Sequence, residues 1–279
     1  MALLYGLITA LAFGAGDYIA GQVTKRVPTL LVVLYAQAFG AVVMLPAALV
    51  SGHSLSVSAV IWGLLGGLSL GLGFLLYFHA LSLGKMGVVS SIAGILSAVI
   101  PVAAGLLIGE RPGTAALAAI AMIVLSIFLI SKKDANGKTG GTTVKVLLQS
   151  AAAGVLLGGF FIFLHIPASG ESMWTVFFTM SGSFLGVAVL LIVRRADIRV
   201  KKQAWPFILG NGFLQTFGAV TYVAGVNIGL MSIVALAGAL SPLFTVIFAR
   251  LLIQEYLNKF QISGILVALS GIALLVVTT

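Results

Sequence analysis

Ten apolar runs of roughly twenty residues, parted by short polar or charged breaks, fill almost the whole chain and constrain its fold more than any other feature. They fall at about 2–23, 29–51, 58–81, 86–108, 113–131, 144–165, 172–193, 204–228, 230–253 and 258–278. A helix crosses about 30 Å of hydrocarbon at about 1.5 Å per residue, so each run is long enough for one crossing. Hydrocarbon offers no water to satisfy backbone N–H and C=O groups, so a spanning run must close its hydrogen bonds internally as a helix. Of the 279 residues 61% are hydrophobic and 8% charged, with a mean hydropathy of +1.22, which leaves little chain for a soluble domain. The expected fold class is an all-α membrane protein of ten transmembrane helices. The first run carries Asp17 and has no basic segment before it, so it is expected to stay as a helix and not to be removed as a signal peptide.

The formal charge of +9 would point to nucleic acid in a soluble protein. Here the cations crowd the short loops, where they act as topology signals, and no nucleic-acid partner is expected. Of the fifteen Lys and Arg only Arg111 lies at an even-numbered loop; the others, from Lys25 and Arg26 to Arg250 and Lys259, lie in or beside odd-numbered ones. The positive-inside rule then makes the odd loops cytoplasmic and places both termini outside, in a multi-pass protein of the cell (inner) membrane. Trp62, Trp174 and Trp205 fall near helix ends, as interfacial anchors do. The chain has no cysteine, which excludes disulfides, thiolate metal sites and Cys nucleophiles.

The longest polar stretch, SKKDANGKTGGTT from Ser131 to Thr143, divides the chain into a five-helix unit at 1–131, a cytoplasmic linker at 132–143 and a second five-helix unit at 144–279. An odd number of crossings per unit makes the two units inverted. Shifting residues 73–110 by 145 pairs Gly73 with Gly218, Tyr77 with Tyr222, Gly84 with Gly229, Met86 with Met231 and Glu110 with Glu255 without a gap. Aliphatic matches are cheap in such a chain; matched tyrosines, glycines and glutamates are not. Inverted halves around a central site are a recurrent transporter architecture, because exchanging the conformations of two similar halves opens the site to either side.

Several features together carry a family resemblance: Phe13-Gly14 in the first helix, Tyr77 to Gly84 leading into the fourth and its repeat Tyr222 to Gly229, Ser241-Pro242 in the ninth, and Glu110 and Glu255 at two helix ends. In these the chain resembles the drug/metabolite transporter superfamily, specifically its ten-helix EamA type, over essentially its whole length. The resemblance implies secondary transport of amino acids, sugars, nucleotide-like metabolites or drugs, often outward. One departure bears on direction: many relatives look N-terminus-inside by their charges, and this chain reads the opposite way.

Asp17 is the sole acid well inside a predicted span, and a carboxylate at such depth is generally paired, protonated or functional. Counting from the predicted cytoplasmic ends, Asp17, Gln37, His79 and Asn211 lie at a similar depth of roughly 9–14 Å. Ser90 and Ser91 enter the fourth helix nearer that face, Tyr77 lies one helix before them, and Gln215 and Tyr222 continue the eighth helix toward the centre. These residues, Asp17, Gln37, Tyr77, His79, Ser91, Asn211, Gln215 and Tyr222, are the expected substrate-binding or coupling set. A carboxylate among amides and an imidazole suits a cationic or zwitterionic substrate, or exchange of a proton for one. Small multidrug resistance proteins, distant members of the superfamily, are similar in placing an essential acid in their first helix. The repeat-equivalent position here, near Phe161, is apolar, so an acid-dependent site is single and asymmetric.

Pro101 and Pro242, inside the fourth and ninth helices, are expected kinks and hinges. Gly63, Gly67 and Gly71 at i, i+4 spacing, with Gly66 and Gly73 on a neighbouring face, are expected to let two helices approach the third closely. Glu110 and Glu255 would lie on opposite membrane faces and cannot act on one substrate atom. Phe160, Phe161, Phe163, Phe177, Phe178, Phe213, Phe217 and Phe244 line a cavity or face lipid. Three dispersed histidines form no metal motif, and no cofactor is expected.

The expected function is therefore secondary transport, by alternating access, of small polar metabolites such as amino acids or sugars, with proton coupling and export as the anticipated form. The expected partners are that substrate, the lipid bilayer and a second copy in a homodimer. Multidrug or quaternary-cation efflux, or a channel or lipid-flipping conduit, is the alternative. The sequence has no Gly-x-x-x-x-Gly-Lys-Ser/Thr run for ATP-driven pumping and no convincing nucleophile for an intramembrane enzyme.

Overall fold

The computed structural model describes residues 1–84, 86–109, 113–131, 143–167, 169–254 and 259–278. Glu110, Arg111, Glu255, Lys85 and most of the 132–143 linker, all singled out above, lie outside the described residues. The chain forms α1 (Ala2–Val23), α2 (Thr29–Val50), α3 (Val57–Leu83), α4 (Met86–Leu107), α5 (Thr114–Ser131), α6 (Val144–His165), α7 (Ser172–Arg194), α8 (Trp205–Val226), α9 (Met231–Gly238), α10 (Ser241–Ile253) and α11 (Lys259–Thr278). Eight crossings meet a membrane span's length and apolarity among the described residues, with α9 and α10 together making one; α5 and α11 complete the ten. The bundle's outer face is apolar, with Leu49, Leu68, Val189, Phe213 and Leu266 exposed, as lipid requires.

Local chemistry fixes several helix ends. Ser56 Oγ accepts from Ala59 N at 3.0 Å to cap α3, and Thr143 Oγ1 accepts from Val146 N at 3.4 Å to cap α6. Arg195 (φ 48°) ends α7 in the left-handed region, and Gln254 (φ 55°) does the same for α10. The predicted ninth helix at 230–253 is corrected to two. The helix stops at Gly238, turns at Ala239 and Leu240, and resumes with Ser241-Pro242 in the first turn of α10, where proline needs no N–H partner. The kink expected at Pro101 does not break its helix, since α4 runs unbroken from Met86 to Leu107.

The halves are inverted repeats joined by exchange of their first helices. Helix α1 packs on α8, α9 and α10 of the second half, and α6 packs on α3 and α4 of the first. Replacing each helix by its counterpart five crossings away converts one set of neighbours into the other. The same exchange turns α3 against α7 into α8 against α2, while α2 with α7 and α5 with α11 map onto themselves. That is the contact pattern of a two-fold axis lying in the membrane plane.

Small residues make the closest contacts. A Cβ on Gly63 would stand 2.6 Å from Phe178 Cβ, and one on Gly67 would collide with Thr179 O and stand 2.7 Å from Ser183 N, so this face of α3 receives α7 backbone to backbone. A Cβ on Gly66 or Gly73 would instead meet Phe163 or Leu157, on α6. Two helices thus seat on two glycine faces of α3.

Candidate functional site

Helix α1 carries Asp17 into the middle of this exchanged arrangement. Its glycines hold it there: a Cβ on Gly14 would strike Phe244 Cβ and Ser241 O of α10, and one on Gly16 would stand 3.0 Å from Gln215 Nε2 of α8. Asp17 is 4% exposed, and both its oxygens are held by neutral donors. Tyr77 of α3 donates its hydroxyl to Oδ2 at 3.1 Å, and Gln215 donates Nε2 to Oδ1 at 3.0 Å. The carboxylate therefore bridges α1, a helix of the first half and a helix of the second.

A cavity opens at this carboxylate. Its polar wall is Asp17, Tyr77, Gln215 and the serines 90, 97 and 241; its apolar wall includes Phe13, Phe74, Phe160 and Phe161. Among the described residues neither Lys nor Arg lines it, and Asp17 is the sole charge-bearing group facing the space. The cavity is narrow: about 40 Å³ is open to the centre of a water-sized sphere, enough for a few waters. Gly238, Ala239 and Ser241 also line it, so the break between α9 and α10 faces the cavity. The first turn of α10, with its partial positive charge, stands at the wall through Ser241.

The expected residues distribute unevenly around this point. Asp17, Tyr77 and Gln215 meet directly. Asn211 lies one turn before Gln215 and donates to Gly16 O at 2.9 Å, bracing α8 on α1, with its Oδ1 buried and unpartnered among the described residues. Gln37 is buried on α2, which packs on α7 and α8; it is not part of the cavity wall, and its Oε1 has no partner among the described residues. The side chain of Ser91 lies outside the described residues.

His79 and Tyr222 lie away from this cavity. His79 is exposed and lines a separate hollow, because two positions beyond Tyr77 a helix has turned by about 200°. Tyr222 is fully buried at the repeat-equivalent place: its hydroxyl donates to Phe161 O at 3.0 Å and its ring lies 4.7 Å from that of Phe161. Tyr77 meets Asp17 in one half, and Tyr222 meets the backbone of Phe161 in the other. Of the phenylalanines, Phe160 and Phe161 reach the cavity, whereas Phe213 and Phe217 stack on each other at the exposed surface. Pro242 sits beside the break and against Gly94 of α4, where a Cβ would stand 2.5 Å from its Cγ.

The sequence reading missed Ser97 and Ser241 as wall residues. A signal for Ser97 exists: Ser90, Ala93, Gly94 and Ser97 form a small-residue stripe at helical spacing, and all four line the cavity.

Among solved structures the chain is similar to one described as "Crystal structure of protein", with a TM-score of 0.73 at 19% identity over 99% of this chain and 96% of the other, a likeness of fold. No curated protein sequence matches significantly. The profile of the EamA-like transporter family matches residues 1–132 and 144–277. With nearly its whole length matched, the chain belongs to the EamA-like transporter family, membrane transporters of the drug/metabolite superfamily.

Proposed function

We propose that the chain is a secondary transporter of small amine-bearing metabolites of the amino-acid class, working by alternating access with proton exchange. The observation that carries this reading is a carboxylate, Asp17, in a cavity wall that holds no cation and no other acid among the described residues. A protonated amine is the group such a wall accepts. The amine would take the place now held by Gln215 or Tyr77 on the Asp17 oxygens, and the substrate carboxylate would lie toward Ser241 and the first turn of α10. Phe13, Phe74, Phe160 and Phe161 offer an apolar wall for the side chain.

Asp17 can hold a proton or an amine but not both at full strength, which is the logic of antiport: a substrate leaves as a proton enters. With both termini outside, as the loop charges favour, proton entry would drive export. The residue-level division at 131 and 144 fits two halves rocking about this site. The four phenylalanines also suit a quaternary cation. That second reading differs in needing nothing from Ser241, since a quaternary cation carries no carboxylate.

The experiment is flux in proteoliposomes bearing a pH gradient, with amino acids, sugars and quaternary cations offered in turn. Wild type is expected to show saturable flux of amino acids that collapses when the gradient is removed. Asp17→Asn is expected to cut that flux by at least about tenfold and abolish its pH dependence. Unchanged flux and pH dependence in Asp17→Asn would overturn the coupling role. Non-saturating flux would favour a conduit, and quaternary cations alone would favour efflux of that class.

A further inference from the structure

A much larger hollow lies on the flank of the bundle, between α2 and α3 of the first half and α6 and α7 of the second. It encloses about 680 Å³ and is graded in polarity. At its mouth stand His79, Gln149 and Arg194, each near the end of its helix that meets the basic loops. Its floor is made of leucines: Leu72, Leu75 and Leu76 of α3, Leu156 of α6 and Leu190 of α7. Leu72 is seven residues deeper than His79, and Leu156 seven deeper than Gln149, so the floor reaches about 10 Å farther into the membrane than the mouth. That is the shape and polarity of an amphiphile lying along the membrane normal.

The mouth also lacks a counter-ion from the described residues, with His79 and Arg194 both exposed. Among the described residues, neither the Arg194 guanidinium nor the His79 imidazole has a hydrogen bond or ion pair, and no acid lines the hollow. Gln149 Oε1 is buried without a partner among the described residues. An unpaired guanidinium in a membrane interface calls for an anion, and a buried amide oxygen calls for a donor. A phosphate diester with a hydroxyl-bearing headgroup supplies both, on the same molecule as the acyl chain the leucines would cover.

We propose that this groove is a binding site for an anionic glycerol-headgroup phospholipid of the leaflet facing the basic loops. The phosphate lies at Arg194 and His79, a headgroup hydroxyl donates to Gln149 Oε1, and an acyl chain runs along the leucine floor. The lipid touches helices of both halves, so it bridges them on that face. The site is independent of the Asp17 cavity, and its test does not depend on transport.

The test is native mass spectrometry of the intact protein equilibrated with mixtures of phosphatidylglycerol and phosphatidylcholine. Wild type is expected to retain phosphatidylglycerol over phosphatidylcholine by about tenfold. Arg194→Gln with His79→Ala is expected to bring that ratio to about one, and Leu72→Trp, which fills an exposed part of the groove, to reduce retention of both lipids. Lys201→Gln, in a different basic hollow between the α1–α2 and α7–α8 loops, is expected to change nothing. Equal retention of both lipids by wild type overturns the proposal, as does undiminished preference in the double variant. A preference lost in Lys201→Gln moves the site to the other hollow and overturns it too. Displacement of the lipid by soluble glycerol phosphate at matched concentration would show that the headgroup alone binds, against a phospholipid site.

Discussion

Two tyrosines related by the internal repeat do different work, and the difference is set by one residue on a neighbouring helix. Tyr77 donates to the Asp17 carboxylate; Tyr222 donates to the Phe161 main chain and stacks on its ring. Tyr77→Phe should leave the fold intact, because the ring still packs against Phe78, but should lower proton-coupled flux and shift its pH dependence. Tyr222→Phe should lower stability by about 1 kcal/mol through the lost buried hydrogen bond, and leave the pH dependence unchanged. Thermal unfolding and proteoliposome flux, measured on both variants, separate the two effects; a Tyr222→Phe protein whose pH profile moved would make the halves functionally equivalent instead. Counting residues from the helix ends gave Asp17, Gln37, His79 and Asn211 a common depth, but it carried no azimuth. Tyr77 and His79 lie at nearly one depth and on nearly opposite faces of α3. Which face meets α1 depends on how α3 seats on α6 and α7, and that information is distributed over three helices.

Helix α3 owes its position to glycine. The i, i+4 stripe of Gly63, Gly67 and Gly71 was readable in sequence as a close-approach face, and Thr175, Phe178, Thr179 and Ser183 of α7 occupy that face. Gly67→Ala puts a methyl against the Thr179 carbonyl and the Ser183 amide, both main chain, so the helices must separate. The expected cost is about 1–3 kcal/mol. Gly210→Ala on α8, where a Cβ would meet nothing within 4 Å, should stay within about 0.5 kcal/mol of wild type or gain slightly from helix propensity. Thermal unfolding in one detergent reads both, and equal stability of the two variants would deny the glycine face its role. The ten crossings were legible for the reason the bilayer gives: each must be long, apolar and hydrogen-bonded internally. The break at Ala239 and Leu240 was not, since alanine and leucine are good helix formers and only Ser241-Pro242 hints at a new start. It arises from what surrounds it, with Gly14 of α1 against Ser241 O and Gly94 of α4 against Pro242.

At the scale of the molecule, the face away from the basic loops carries a visible bridge between the two halves. Ser54 N, in the α2–α3 loop, donates to Gly170 O in the α6–α7 loop at 2.8 Å. His53 Nδ1 accepts from Met173 N at 3.1 Å in the first turn of α7, and Trp174 Nε1 donates to His53 O at 3.0 Å. Alternating access through the Asp17 cavity, as proposed, would separate these loops once per cycle. The chain has no native cysteine, so a pair introduced as Ser54→Cys and Gly170→Cys would be the only thiols present, at two exposed positions already joined by a main-chain hydrogen bond. Oxidation should form the cross-link and abolish flux, and reductant should restore it. If the loop charges orient the protein as proposed, a membrane-impermeant reductant added outside intact cells should suffice. Full flux through the cross-linked protein would mean that the halves do not part on this face, and restoration only by a permeant reductant would invert the proposed orientation while leaving the gating intact.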